Sequence, residues 1–335
     1  MIRGLFFLSA LGGVLYTVQQ ISGVSDEQPA VIEIAESEAV MESHPPVVQA
    51  ADDFRENLVE FSAPFIDLKS VHSPNVILTN LETGRVVTKR NSDKQLPPAS
   101  LTKIMTVLVA LENVKDLDQI IEMKPEYFDR LFEQEAAVAG FQVGEKVSFR
   151  DLLYGAMLPS GADACLAIAH LIAGSEAEYA ILMNERAAEL QMDATHFVTV
   201  TGLHHPDHVS SVADLELLLE VALENETFYQ IFTTDEYLTA PTTFNPEGLT
   251  MRSTVKRYRE EYEEIEKIII GGKTGFTEEA GQCLATLAKV EGQTYLLVTA
   301  GAGAQAAGPG PDYVPILKPL HVLDAATIYK QLEKD

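Results

Sequence analysis

The chain has 335 residues, 46% of them hydrophobic, with two cysteines, no tryptophan and a formal net charge of −26. That length accommodates one large domain or about two, with ample apolar content for a core. The acidic balance excludes nucleic acid, whose phosphates it repels, and disfavours adsorption to anionic lipid. Two cysteines provide neither a disulfide framework nor metal-type spacing, and Cys165 and Cys283 are expected as buried free thiols, one disulfide being the alternative.

In chain order, "MIRGLFFLSALGGVLYTVQQISG" sets one arginine before an apolar run from Gly4 to about Tyr16. This is the pattern of a signal peptide or a signal anchor. It lacks a clear small-x-small cleavage site, so residues 1–23 are read as an uncleaved anchor that sends the remainder across a membrane. Residues 24–56 carry nine acidic residues and one arginine, with Pro29, Pro45 and Pro46. Such a composition buries too little surface to fold, and predicts a self-repelling, disordered spacer. Residues 57–335 are the expected catalytic domain.

Within that domain, "NVILTNLETGRVVTKRN" predicts a hairpin with strands Val76 to Asn80 and Arg85 to Lys89 around Glu82-Thr83-Gly84. "SLTKIMTVLVALENV" is apolar on nearly every face, as in a buried central helix. "SFRDLLYGAMLPS" and "ADACLAIAHLIAG" predict two helices joined through Pro159-Ser160-Gly161. "SEAEYAILMNERAAELQM" and "SSVADLELLLEVALEN" predict further amphipathic helices. "REEYEEIEK" reads as a solvated face. Three β-rich runs follow, "KIIIGGKTGF", "GQCLATLAKVEG" and "QTYLLVTAGAG", and "VLDAATIYKQLEK" closes the chain as an amphipathic helix. This order predicts an α+β fold: an antiparallel sheet formed from both ends of the domain, covered by helices, with an inserted all-helical lobe.

Three segments carry candidate chemistry. In "LPPASLTKIM", Pro97 and Pro98 prevent a helix from arriving from upstream, so one starts near Ala99 or Ser100. Ser100 and Lys103 then share a helix face one turn apart. A serine hydroxyl is a poor nucleophile until a neighbour takes its proton, and Lys103 can do so if burial and nearby positive charge lower its pKa. In "GGKTGF", glycines in a strand mark close approach by another backbone, as when a peptide adds to a sheet edge. Lys273 and Thr274 supply a charge and a hydroxyl there. In "LPSGADA", Ser160 either projects into a cleft or caps a helix.

Together, S-x-x-K, a serine between helices and K-T-G form a known signature. On these motifs, with "GEKVSFRDLLYGAMLPSGADA", "MNERAAEL…THFVTVTGLHH" and "GGKTGFTEEAGQCLAT", the chain over about residues 65 to 300 resembles the low-molecular-weight penicillin-binding proteins that are serine-type D-alanyl-D-alanine carboxypeptidases. The resemblance implies a penicillin-binding protein/β-lactamase-like fold and no cofactor or metal. It implies that Ser100 attacks the bond between the terminal D-alanines of a peptidoglycan stem peptide, that Lys103 takes its proton and that Ser160 relays a proton to the leaving amine. Lys273 and Thr274, with Gly275, would hold the terminal carboxylate, and the backbone N–H groups of Ser100 and Phe276 would form the oxyanion hole. β-Lactam antibiotics would acylate Ser100. The implied setting is the cell wall, outside the cytoplasm, with the N-terminal segment as the membrane attachment.

One departure is evident. The family's middle motif is usually Ser-x-Asn, and here it reads Ser160-Gly161-Ala162, so the amide that positions the lysine is missing and Asp163 is expected to point elsewhere. Three alternatives stay open. A β-lactamase of class A would need a further glutamate base, and no E-x-x-L-N segment lies between Ser160 and Lys273. A zinc peptidase could use "HHPDH", His204 to His208, although the spacing is not the helical H-x-x-x-H. A wall-binding protein on a decayed catalytic fold is kept open by Ala162.

Overall fold

The computed structural model describes residues 65–304 and 318–333. The anchor expected at 1–23 and the spacer expected at 24–56 lie outside the described residues, as do positions 57–64 of the catalytic domain.

The sheet is built from both ends of the domain. Strands β1 (Asn75–Asn80) and β2 (Arg85–Arg90) come from the front, turning at Gly84 with φ +63°. Strands β7 (Ile269–Thr277), β8 (Gly281–Val290) and β9 (Gln293–Ala302) come from the back. Their order is β2-β1-β9-β8-β7, and every neighbouring pair is antiparallel. β1, "NVILTN", is an interior strand buried throughout, whereas β2, "RVVTKR", carries the charges suited to an edge. β7 is the opposite edge.

Alternation along the strands divides the core into two layers. Ile77, Leu296 and Val298 face the helical lobe, and Val76, Leu78 and Leu297 face the other side. The lobe is arranged around α1 (Thr102–Asn113), in which every residue from Thr102 to Ala110 is buried. A helix apolar all round needs neighbours all round. They are α2 (Phe149–Met157), α3 (Ala162–Ala173), α4 (Glu176–Glu189), α5 (Val212–Leu223) and α6 (Glu226–Thr233). α2 starts on a capping box: Asp151 N–H donates to Ser148 Oγ at 3.1 Å, and Ser148 N–H donates to Asp151 Oδ2 at 2.8 Å.

Some elements lacked a sequence signature. The hairpins β3 (Ile120–Glu122) with β4 (Lys146–Ser148) and β5 (Glu236–Leu238) with β6 (Thr250–Arg252) have three-residue strands, too short to display alternation. The run "REEYEEIEK" ends α7 (Thr254–Glu261) and continues into α8 (Glu263–Glu266). The last helix, α9 (Leu320–Lys330), is more buried than an amphipathic surface helix. It covers the second sheet face: Tyr329 Oη lies 2.7 Å from Thr286 Oγ1, and buried Asp324 accepts from His72 N, Ser73 N and Ser73 Oγ at 2.8, 2.7 and 2.6 Å.

Candidate active site

The two prolines do fix the helix start. A 3-10 turn over Ala99–Leu101 precedes α1, so Ser100 sits at its head. Ala99 adopts φ +48°, an unusual conformation for a residue with a side chain, which sets the direction of Ser100. Ser100 is partly exposed, and Lys103, one turn on, is buried. Lys103 Nζ lies 2.9 Å from Ser100 Oγ and donates to the backbone carbonyl of Thr201 at 2.5 Å. Burial lowers the Lys103 pKa, while nearby Cys165 and Asp163 oppose that shift.

Ser160 does not cap α3. The N-cap is Gly161, which makes no side-chain capping bond, and Ser160 stands one residue earlier in a left-handed conformation, φ +66°. That turn aims the hydroxyl across the cleft, where Ser160 Oγ accepts from Lys273 Nζ at 2.9 Å. The same ammonium donates to its neighbour's carbonyl, Thr274 O, at 2.9 Å. Lys273 is fully buried, and burial followed by the Lys103 charge holds its pKa well below the usual lysine range. Two buried lysines thus each hold one serine. Thr274 points to the other side of β7, where its hydroxyl donates to Thr254 Oγ1 at 2.7 Å.

Gly275 shows why the strand carries glycine. A Cβ there would stand 3.1 Å from Ser100 N and 3.2 Å from Ala99 Cβ, so β7 runs directly alongside the backbone of Ser100. Phe276 follows, 55% exposed, on the edge strand of the sheet. The structure therefore assembles Ser100, Lys103, Ser160, Lys273, Thr274 and Gly275 in one place, with Phe276 at its margin.

Ala162 lies within the hydrophobic core, and its N–H donates to Ala137 O at 2.8 Å. Asp163 does point elsewhere: its Oδ1 accepts from Ala139 N at 2.7 Å and pins the 137–140 segment against the start of α3. What holds Lys103 instead is the carbonyl of Thr201. Sequence reasoning missed this partner because a backbone carbonyl has no residue signature. The only mark of it is Gly202, where φ is +78° and a Cβ would fall 1.9 Å from Ala99 O.

The histidine cluster resolves differently from a metal site. His208 is buried, and its Nδ1 accepts from Val198 N and Thr199 N at 2.9 and 3.2 Å. Its Nε2 therefore carries the hydrogen and donates to Thr102 Oγ1 at 2.8 Å, which in turn donates to Ala99 O at 2.8 Å. Both ring nitrogens are committed to the protein. Burial and the neighbouring histidines push the His208 pKa down to about 4, so the ring is neutral. Cys165 and Cys283 are free, and burial raises each thiol to about 12.

Comparison with known proteins shows the family and the fold. The sequence pattern of the D-alanyl-D-alanine carboxypeptidase family matches residues 60–304. D-alanyl-D-alanine carboxypeptidase DacF of Bacillus subtilis is 32% identical over 238 residues, covering 68% of this chain and 57% of that protein. D-alanyl-D-alanine carboxypeptidase DacD of Escherichia coli is 32% identical over 247 residues, covering 71% of this chain and 60% of that protein. The chain thus spans somewhat over half the length of these curated relatives. Among solved structures, the Streptomyces K15 DD-transpeptidase superposes with a TM-score of 0.66 at 28% identity, covering 78% of this chain and 97% of that one. The D-alanyl-D-alanine carboxypeptidase of Mycobacterium tuberculosis H37Rv superposes with a TM-score of 0.64 at 25% identity, covering 78% and 90%.

Proposed function

The chain belongs to the D-alanyl-D-alanine carboxypeptidase family, and from that premise we propose that it hydrolyses the terminal D-Ala-D-Ala bond of peptidoglycan stem peptides through an acyl-enzyme on Ser100, in cell-wall maturation. The observation that carries this reading is the pairing of two serines with two buried lysines: Lys103 on Ser100 and Lys273 on Ser160, each at 2.9 Å.

The chemistry follows from that pairing. In its neutral form, favoured by burial, the Lys103 amine accepts the Ser100 hydroxyl proton as Oγ attacks the carbonyl carbon. Negative charge develops on the carbonyl oxygen, and the backbone N–H groups of Ser100 and Phe276 stabilise it. Ser160 gives its proton to the departing amine, D-alanine leaves, and water releases the acyl group. Lys273, buried behind Ser160, acts on that hydroxyl by hydrogen bond and by its field, while Thr274 meets the carboxylate of the terminal residue. A peptide added along the open edge of β7 brings its scissile carbonyl to Ser100.

β-Lactams, which also present a strained amide and a carboxylate, acylate Ser100 and leave slowly. The site belongs outside the cytoplasm, where stem peptides are found, and we assign the apolar segment at residues 1–23 as the membrane attachment that holds it there.

The test is direct. Intact mass after incubation with benzylpenicillin gains one adduct on the wild-type chain and none on Ser100→Ala, and a pentapeptide ending in two D-alanines releases D-alanine. A wild-type chain that takes no adduct and releases no D-alanine favours the wall-binding alternative.

A further inference from the structure

The carboxylate end of the cleft contains a residue that no motif contributes. Lys273 has no solvent-exposed surface, and its ammonium hydrogens are directed to Ser160 Oγ and Thr274 O. A terminal carboxylate at this end of the cleft therefore meets hydroxyl groups first, with the Lys273 charge behind them. Thr274 supplies one hydroxyl, which in this structure is bonded to a second, Thr254 Oγ1, at 2.7 Å. Two hydroxyls in mutual contact use one hydrogen between them and leave the other for an outside acceptor. Among the described residues that second hydrogen has no acceptor, and both threonines are partly exposed.

Thr254 is also firmly placed. Its N–H donates to Leu158 O at 3.1 Å, which ties the start of α7 to the Leu158-Pro159-Ser160 segment. The preceding Ser253 accepts from Val255 N at 3.2 Å and donates its own N–H to Asp235 O at 2.9 Å. The Thr254 hydroxyl is thus fixed relative to both Ser160 and Thr274. On the carboxypeptidase reading those two groups flank the leaving D-alanine.

We propose that Thr254 is a substrate-binding residue that, paired with Thr274, forms a two-hydroxyl fork receiving the carboxylate of the terminal D-alanine. The inference rests on the carboxypeptidase reading and names the group that selects a free chain end. When the carboxylate enters, the Thr254–Thr274 hydrogen bond opens. Each hydroxyl donates to one carboxylate oxygen, two charge-assisted bonds replacing one neutral bond. A substrate whose end is blocked offers no such acceptor pair.

The test compares acylation of the full-length chain by benzylpenicillin and by its methyl ester, which keeps the reactive ring and removes the charge. Thr254→Val keeps the shape and removes the hydroxyl; Thr254→Ser restores it. The expected result is a loss of about tenfold in the second-order acylation rate of Thr254→Val with the free acid, the scale of one hydrogen bond to a charged group. The rate with the ester should stay within about twofold of wild type, and Thr254→Ser should recover the free-acid rate. An unchanged free-acid rate, or equal losses with acid and ester, overturns the assignment of Thr254 and leaves the carboxypeptidase reading standing. A wild-type chain that neither compound acylates overturns that reading and the carboxylate role with it.

Discussion

Ala162 occupies the position at which the resemblance led to the expectation of an amide, and it is 1% exposed. Lys103 does not lack for partners as a result, because its nitrogen lies beside Ser100 Oγ and donates to the Thr201 carbonyl. Restoring the asparagine should therefore not help. Ala162→Asn inserts a polar amide into a packed, apolar site, at a cost of about 1–3 kcal/mol when its hydrogen bonds go unmade. The expected outcome is a lower melting temperature with no gain in penicillin acylation, read by thermal unfolding and stopped-time mass spectrometry. A tenfold faster acylation would show instead that Lys103 is poorly held by the carbonyl alone. At this scale Ser100, Lys103 and the K-T-G residues were legible in sequence from the three motifs taken together and the family resemblance they carry. Thr201 was not, because its contribution is a main-chain oxygen, and Thr254 was not, because it lies about twenty residues before its partner in an unremarkable polar stretch.

Strand β7 does more than close the sheet. It carries Lys273 on one side and Thr274 on the other, and it lies against the 3-10 turn that holds the nucleophile. A methyl at position 275 would press on Ser100 N at 3.1 Å and Ala99 Cβ at 3.2 Å, closer than ordinary contact. Neither neighbour can yield freely, since both belong to a backbone turn. Gly275→Ala is expected to push the strand edge a few tenths of an ångström from Ser100 and to slow acylation by about tenfold or more, since small misplacements of reacting groups are costly. The fold should survive, because β7 keeps its pairing with β8. Equal acylation by Gly275→Ala and wild type would show that the strand does not border the reacting carbonyl. The long, strongly patterned elements were visible in the sequence, while the three-residue hairpins β3–β4 and β5–β6 have too few residues for any period to emerge.

The whole molecule depends on a sheet that joins distant parts of the chain, and one buried histidine links the lobe to the nucleophile's turn. His208 connects the backbone of Val198 and Thr199 to Thr102, and through it to Ala99. Its folded pKa of about 4 lies below the 6.5 of an unperturbed imidazole. The unfolded chain therefore binds the extra proton first, so the stability linked to this ring is complete above pH 6.5 and is lost as pH falls towards 4. Full loss corresponds to about 3 kcal/mol. His208→Gln, which cannot titrate, should be less stable at neutral pH but show a shallower decline between pH 6.5 and 4.5. Urea unfolding of both chains at several pH values in that interval measures the difference in slope, and parallel curves would overturn the role of His208.

Residue order alone determined the layer plan, the central helix and the placing of Ser100 and Lys103 on one helix face, because apolar periodicity and one-turn spacing are local properties written in consecutive residues. It also determined that the sheet would draw strands from both ends, since no run in the middle alternates. Only the tertiary structure decided that Ser160 serves the cleft rather than capping a helix, that Lys273 is sealed behind it, and that the Thr201 carbonyl stands where an amide was expected. Those outcomes rest on contacts between segments up to 113 residues apart, and on backbone groups that every residue carries alike. Neither leaves a mark on the order of side chains.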